Sequence, residues 1–152
     1  MTTPTVPVMV RMERRALANR WVDHQWHVAG LSPPGTQAGP AGERVFGPFD
    51  ISLFPDEAEG YFLNTSSGDP RAFVMWRLGD GGMEGEPDVR SVTLSYNEAA
   101  RLMDAQERVD TVPLPAELRG WLEGYVVQNY KPEPKKKRIK ASFVAARNKD
   151  KL

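Results

Sequence analysis

The sequence predicts an α+β fold, with a curved antiparallel sheet or partly open barrel of about six strands, closed by two C-terminal helices and followed by a basic tail. Three observations predict it. Apolar residues recur at strand spacing as far as residue 94, and helical spacing replaces it from residue 95. Strands followed by helices favour α+β over an alternating parallel sheet. Lysine and arginine then dominate residues 131–152.

Six short segments supply the expected strands. In the first, Val8, Val10 and Met12 occupy every second position, which places them on one face of a strand. Turn-forming residues between the fourth and fifth segments predict a hairpin with a longer loop. The glycines and prolines after the second and fifth segments predict surface loops. The expected strands lie at residues 8–12, 21–28, 49–53, 61–63, 72–78 and 89–94.

Two helices are expected after the last strand. Ser95 and Glu98 have the spacing of a capping box, in which both side chains satisfy free N–H groups at a helix start. Pro115 suits the first position of the second helix, where its missing N–H costs nothing. The second helix has the strongest periodic signal of the chain. Its repeating face contains Leu118, Trp121, Leu122, Tyr125, Val126 and Asn129.

Composition limits the classes of protein that this chain can be. With 152 residues, of which 40% are apolar and 26% charged, we expect one domain at residues 1–130 and a tail at residues 131–152. No segment approaches the roughly 18 apolar residues of a membrane helix, and the first residues lack the features of a signal peptide. Cysteine is absent, which excludes disulfides, a thiolate nucleophile and Cys-bound zinc or iron–sulfur clusters. We therefore expect a cytoplasmic protein without a cofactor or membrane partner.

The net charge of zero conceals an asymmetry. Residues 131–152 contain nine basic and two acidic side chains, so they carry +7, and residues 1–130 carry −7. An acidic body with a basic tail indicates either contact between the two or an acidic partner for the tail. We expect the tail to be disordered in isolation. Ile139, Phe143 and Ala146 have helical spacing, so a short helix could form against a partner.

The ionisable residues form no recognisable catalytic set. His24 and His27 are three positions apart, which places them on opposite faces of a strand and argues against a shared metal site. The carboxylates within residues 56–59 and 84–88 lie in expected loops, where they are ordinarily solvated charges. We therefore expect no enzyme. An enzyme would require a pocket that converges on Asp23, His24 or Arg20.

Residues 13–30 contain two of the four tryptophans, both histidines and three arginines. We interpret them as two strands joined by a polar turn, with aromatic side chains facing the core and arginines at the rim. Arg14, Arg15 and Arg20, with Trp21 close by, are candidates for an anion-binding or partner-binding surface. The alternative is a strand rim at which arginines cover neighbouring aromatic rings.

The tail supplies a second candidate contact surface. Its basic side chains suit an acidic protein partner, or nucleic acid bound with strong salt dependence and little sequence preference. Phe143 is its only aromatic residue, so base stacking has little support. The candidate residues are Lys135, Lys136, Lys137, Arg138, Lys140 and Phe143.

Several motifs resemble a small-protein family of proteobacteria, a domain of unknown function. They are Glu13-Arg-Arg-x-Leu-Ala-Asn-Arg-Trp-x-Asp-x-Gln-Trp26 with Gly30, Tyr61-Phe-Leu-Asn64-x-Ser66, Phe73-Val-Met-Trp76-Arg, Ser95-x-Asn-Glu-Ala and Val112-Pro-Leu-Pro115. The likeness covers roughly residues 8–130 and carries over no catalytic or binding residues. Members of that family look like companions of molybdenum-dependent formate dehydrogenase genes.

The resemblance implies a non-enzymatic accessory or subunit-like protein of a formate dehydrogenase or molybdoenzyme system. Such a protein would act by protein–protein docking, with a formate dehydrogenase subunit or its maturation factors as partner. The alternative is a nucleic-acid-associated protein that binds through the Lys-rich C-terminal tail.

Overall fold

Two three-stranded antiparallel sheets and three helices form the fold. The computed structural model describes residues 3–16, 24–40, 42–82 and 85–132. The strands are β1 (Thr5–Ala16), β2 (His24–Ser32), β3 (Glu43–Ser52), β4 (Arg71–Leu78), β5 (Pro87–Thr93) and β6 (Arg108–Pro113). The helices are α1 (Ala58–Thr65), which follows a 3₁₀ turn at Pro55–Glu57, α2 (Tyr96–Asp104) and α3 (Ala116–Asn129). The predicted α+β class and antiparallel pairing are confirmed.

The strand order is β2-β1-β3 in the first sheet and β5-β4-β6 in the second. Within the described residues no strand of one sheet pairs with a strand of the other, so two sheets stand in place of the expected single curved sheet, and they do not form a closed barrel. The sheets meet instead along their edges, where β2 contacts β6 and β3 contacts β5. At one edge the backbone N–H of Val28 donates to Asp110 Oδ2 at 2.9 Å.

The core lies between the two sheets and obeys the alternation expected of half-buried strands. Val8, Val10 and Met12 of β1 are buried, as their spacing predicts. Met9 is buried as well, because β1 changes register against β3 between Val8 and Val10. From the second sheet, Val74 reaches the same cluster.

The strand directions define the two ends of the fold. One end contains the β4–β5 connection. Strands β1 and β4 end there, and strands β2, β3, β5 and β6 begin there. The side chain of Trp26, at the start of β2, contacts Gly85 in this connection, which joins the same ends of the two sheets. We call this the arginine end. Among the described residues, its arginines are Arg14, Arg15, Arg44, Arg77 and Arg108.

Helices α1 and α3 close the opposite end. Leu118 and Leu122 of α3 join the core cluster, as the helical spacing predicts. The ring of Tyr61 on α1 packs edge-on against Tyr125 on α3, with centroids 5.8 Å apart. Helix α2 runs back along the second sheet, where Tyr96 packs against Phe73 of β4. None of the described helices is long and apolar enough to cross a membrane.

The capping box at α2 is confirmed in one half only. Ser95 Oγ accepts the N–H of Glu98 at 3.0 Å, as the motif predicts. The Glu98 carboxylate does not return to the Ser95 N–H; it accepts the hydroxyl of Thr93 at 2.6 Å. The Thr93 oxygen in turn accepts the Ser95 N–H at 3.1 Å. Thr93 thus connects the Ser95 N–H to the Glu98 carboxylate, in place of the direct hydrogen bond of a capping box.

Two elements differ from the sequence-based expectation. Residues 61–63, predicted as a strand, lie in α1, so the expected hairpin is a helix-to-strand connection. Residues 108–113, which are not among the expected strands, form β6 and pair with β4. The count of about six strands is correct, with one strand lost and another gained, and there are three helices where two were expected. The tail from residue 133 lies outside the described residues, as does Trp21 of the predicted second strand.

Candidate functional site

The core-facing row of β1 ends in an arginine. Arg14 continues the spacing of Val10 and Met12 and pairs in register with Trp26 of β2. Its Cζ atom lies 5.8 Å from the centroid of the Trp26 ring, within cation–π range. Trp26 is only 4% exposed, and its indole N–H donates to the carbonyl of Gly85 at 2.8 Å. The ring is therefore fixed, and an exposed guanidinium covers it.

The second sheet repeats this arrangement. Arg108, the first residue of β6, pairs in register with Trp76 of β4, and its Cζ atom lies 5.3 Å from the centroid of that ring. Trp76 is 2% exposed and belongs to the same core as Trp26. At the arginine end, each sheet thus has a buried core tryptophan that is covered by an arginine.

These two arginines differ from most others in their charge balance. Within the described part of the chain, neither Arg14 nor Arg108 forms an ion pair with a carboxylate. Ion pairs occur at Arg11–Glu43, Arg15–Glu13, Arg44–Glu86, Arg71–Asp69, Arg77–Glu107, Arg90–Asp88 and Arg101–Glu57. The ring-stacked arginines retain hydrogen-bonding capacity for an outside group.

A pocket of about 320 Å³ opens beside the Arg14–Trp26 pair. Its lining consists of Arg14, Trp26, Gly42, Glu43 and Arg44. Gly42 has a φ of +88°, and a side-chain carbon added to it would meet no atom within 4 Å. The mouth of the pocket is open at this glycine.

The acidic member of the pocket already has a partner. Glu43 accepts two hydrogen bonds from Arg11, at 2.9 and 3.2 Å, and Arg11 Nε donates to Ser32 at 2.8 Å. A side-chain carbon on Gly30 would collide with the Arg11 guanidinium, and one on Gly39 would lie 2.6 Å from Glu43 Oε1. The absence of side chains at these glycines therefore leaves room for the ion pair.

The predicted contact residues are only partly brought together. Arg14 lines the pocket, whereas the exposed Arg15 points to the other face of β1, where its Nε lies 3.6 Å from Glu13 Oε1. Arg20 and Trp21 lie outside the described residues, in the segment that connects β1 to β2. The tail candidates also lie outside them: Lys135, Lys136, Lys137, Arg138, Lys140 and Phe143.

Sequence reasoning missed Arg44 and Arg108. Both stand at the start of a strand whose neighbours come from distant parts of the chain. The signal that could have found Arg108 is its position before the alternating residues of β6, had that strand been recognised.

The clearest titration shift near the arginine end belongs to an ion pair on the second sheet. Arg77 donates two hydrogen bonds to Glu107, at 3.0 and 2.7 Å. These hydrogen bonds, with the charge of Arg77, hold the pKa of Glu107 below its usual range. The same bonds raise the pKa of Arg77. The pair fixes the end of β4 to the start of β6, beside Arg108.

The histidines and carboxylates gather no metal site in the described residues: no group of three or more potential ligands is close enough to hold an ion. His27 Nε2 lies 3.0 Å from Glu13 Oε1, although it is not aligned to donate a hydrogen bond. The side chain of His24 is not among those that the structure describes. Far from the arginine end, burial raises the pKa of the Tyr61 hydroxyl, which accepts the N–H of Phe54 at 3.0 Å.

A second, more open concavity of about 610 Å³ lies at the helical end. Its lining consists of Pro55, Asp56, Ala58, Glu59, Asn129, Tyr130 and Lys131. Tyr130 stacks on Phe62 of α1 with ring centroids 4.5 Å apart, so the end of α3 is fixed here. The basic tail therefore leaves the described fold next to two exposed carboxylates, at the end opposite to the arginine end.

Comparison with known proteins gives a family and no individual relative. The family model described as "Protein of unknown function (DUF3305)" matches residues 7–139. No curated protein and no solved structure matches the chain. The match includes every described strand except the first two residues of β1, and all three helices. This chain therefore belongs to the DUF3305 family.

Proposed function

We propose that the protein is a non-enzymatic accessory protein that docks through its arginine end onto an acidic surface of a partner. The observation that carries this proposal is the pair of arginines, Arg14 and Arg108, that cover buried tryptophans at the same end of the two sheets. Arginine and tryptophan are enriched among the residues that dominate binding energy at interfaces.

The rigidity of this end supports a docking role. An arginine held over a ring has lost part of its side-chain freedom before binding, so contact with a partner costs less conformational entropy. The Trp26 ring is held by Gly85, and the start of β6 is held by the Arg77–Glu107 pair. Both arginines thus lie on a fixed surface with their hydrogen-bond donors available.

The proposed partner is a formate dehydrogenase subunit or one of its maturation factors, and the proposed location is the cytoplasm. Support for this partner comes from the resemblance of the sequence motifs to proteins associated with molybdenum-dependent formate dehydrogenase genes. An acidic partner surface is the complement of the arginine end, and complementary charge sets both specificity and association rate.

Co-purification from the native host tests this proposal. The wild-type chain is expected to retain a dehydrogenase component, and Arg14→Glu and Arg108→Glu are each expected to release it. Arg119→Glu is the matched control, because Arg119 is an exposed arginine on α3 at the helical end. Recovery of no dehydrogenase component with the wild-type chain would overturn the proposal.

Nucleic acid bound through the Lys-rich tail is the second candidate, and the charge of +7 in residues 131–152 favours it. Binding would then fall steeply with salt and vanish when residues 131–152 are deleted. Unchanged binding after the deletion would exclude the tail as the nucleic-acid site.

A further inference from the structure

We infer that the pocket beside Arg14 and Trp26 is the receptor for one carboxylate side chain of the acidic partner. This inference rests on the proposed docking function and names the chemistry of the contact.

The charge of the pocket and its surroundings leaves room for one anionic group. Glu43 is neutralised by Arg11, and Arg44 is neutralised by Glu86. Arg14 is the remaining charged residue of the lining, and it has no carboxylate partner in the described part of the chain. A single negative charge would balance it, which suits the carboxylate of an aspartate or glutamate.

The geometry of Arg14 suits a carboxylate ligand. A guanidinium that lies over an aromatic ring can still donate hydrogen bonds from its edge, in a fork that matches two carboxylate oxygens. Trp26 cannot retreat from Arg14, because its indole N–H is bound to Gly85 at 2.8 Å. The donor is therefore already positioned when the ligand arrives.

The size of the pocket favours a single side chain. A volume of about 320 Å³ lies at the lower limit of the roughly 300–1,000 Å³ of small-molecule sites. Gly42 leaves the mouth open, so a side chain can enter while its backbone remains outside. An acidic residue on an exposed partner segment fits these dimensions.

Titration of the folded, full-length chain with a hexaglutamate peptide tests the inference. The indole N–H resonance of Trp26, assigned through its loss in Trp26→Phe, reports on the pocket. Hexaglutamate is expected to shift this resonance, and hexaglutamine at the same concentration is not. Arg14→Gln is expected to weaken hexaglutamate binding by about tenfold, equivalent to the loss of about 1.4 kcal/mol.

Arg119→Gln is the matched control, because it removes the same charge from an exposed arginine on α3, at the end opposite to the pocket. It is expected to leave binding within about twofold of the wild type, since charges far from the pocket are largely screened at ordinary salt. Arg14→Lys keeps the charge and loses the fork, so its affinity is expected to fall between wild type and Arg14→Gln. The NMR spectrum of each variant shows whether it is folded.

Three results would overturn the inference: equal losses for Arg14→Gln and Arg119→Gln, hexaglutamine binding as tight as hexaglutamate binding, or inorganic phosphate binding at Arg14 as tight as hexaglutamate binding at matched ionic strength. The last would identify a general oxyanion site. The proposed docking function fails separately, when no dehydrogenase component co-purifies with the wild-type chain. Hexaglutamate can bind at Arg14 even if no dehydrogenase component co-purifies. Conversely, a dehydrogenase component can co-purify even if hexaglutamate does not bind at Arg14.

Discussion

The backbone N–H of Val28 donates a hydrogen bond of 2.9 Å to the carboxylate of Asp110, and this bond joins the edges of the two sheets. Trp26 precedes Val28 by two positions on β2, and Arg108 precedes Asp110 by two positions on β6. Both strands begin at the arginine end, so the bond aligns the tryptophan of one sheet with the arginine of the other. The geometry of the proposed docking surface therefore depends on Asp110.

Replacement of Asp110 tests this dependence. Asp110→Ala leaves the N–H of the buried Val28 without its acceptor, which is expected to lower the free energy of unfolding by about 1–3 kcal/mol. Asp110→Asn keeps a carbonyl oxygen in nearly the same position and is expected to lose less than Asp110→Ala. Urea unfolding measures both. Equal stability of wild type and Asp110→Ala would show that the edge contact contributes nothing.

Gly60 is a helical glycine whose replacement is expected to destabilise the fold. A side-chain carbon on Gly60 would collide with the buried Ser95 Oγ and lie 3.1 Å from the Asn97 backbone N. Gly60→Ala is therefore expected to cost about 1–3 kcal/mol through overpacking between α1 and α2. Thermal or urea unfolding measures this loss.

Gly120 and Gly124 on α3 provide the control for that substitution. Both are exposed, and a side-chain carbon on either would meet no atom within 4 Å. Alanine is expected to stabilise the protein by about 0.5–1 kcal/mol at each position, because it restricts the unfolded chain and favours the helix. A stabilising Gly60→Ala would contradict the close approach of α1 to α2.

The sequence was sufficient to predict those elements whose side-chain pattern is local. The alternation of Val8, Val10 and Met12 identified β1, and the spacing of Leu118 and Leu122 identified α3, because one face of each element is buried along most of its length. Ser95 as a cap was also predictable, since capping depends on residues three positions apart.

Elements defined by distant partners were not predictable. Of β6, Val112 is buried whereas Val109 is only partly buried, and the strand exists because it pairs with β4 over a separation of more than thirty residues. The apolar run at residues 61–63 is equally compatible with a strand or a buried helix. In the fold, the Asn64 side chain favours the helix, because it donates hydrogen bonds to the carbonyls of Arg71 and Leu94.

The candidate site was predictable only from the side of the first sheet. Arg14 and the core-facing Trp26 followed from the composition of residues 13–30. Arg108 and Trp76 could be recognised as an equivalent pair only after β6 was seen to pair with β4. The two arginine–tryptophan pairs lie at one end because of the strand topology. The spacing of residues within one segment does not predict that topology.

Asn64 is expected to be among the polar residues that contribute most to stability. It is 2% exposed, donates to the carbonyls of Arg71 and Leu94 at 2.8 and 2.9 Å, and accepts the Arg71 N–H at 2.9 Å. Asn64→Ala leaves these groups unpaired and is expected to cost about 3 kcal/mol. Urea unfolding checks this value. Thr65→Ala is the control, because its hydroxyl makes one hydrogen bond within α1, and a comparable loss there would contradict the special role of Asn64.

The Arg77–Glu107 pair is expected to produce a pH dependence of stability. The pKa of Glu107 is lower in the folded chain than in the unfolded chain, so the pair contributes fully above the ordinary glutamate pKa of about 4.3. That contribution is lost as the pH falls through the lower pKa of the folded state. Unfolding curves between pH 7 and pH 3 are expected to fall less steeply for Glu107→Gln than for wild type. Identical pH profiles would show that the pair is not formed in solution.

Deletion of residues 133–152 separates the tail from the arginine end. The described chain leaves α3 at the helical end, opposite to Arg14 and Arg108. The tail adds basic charge at long range, and such charge accelerates encounter with an acidic partner. Deletion is therefore expected to slow association with the dehydrogenase component by about tenfold at low salt and to leave dissociation unchanged. Surface plasmon resonance measures both rates. Faster dissociation would show that the tail contacts the partner directly, which would make it part of the docking surface.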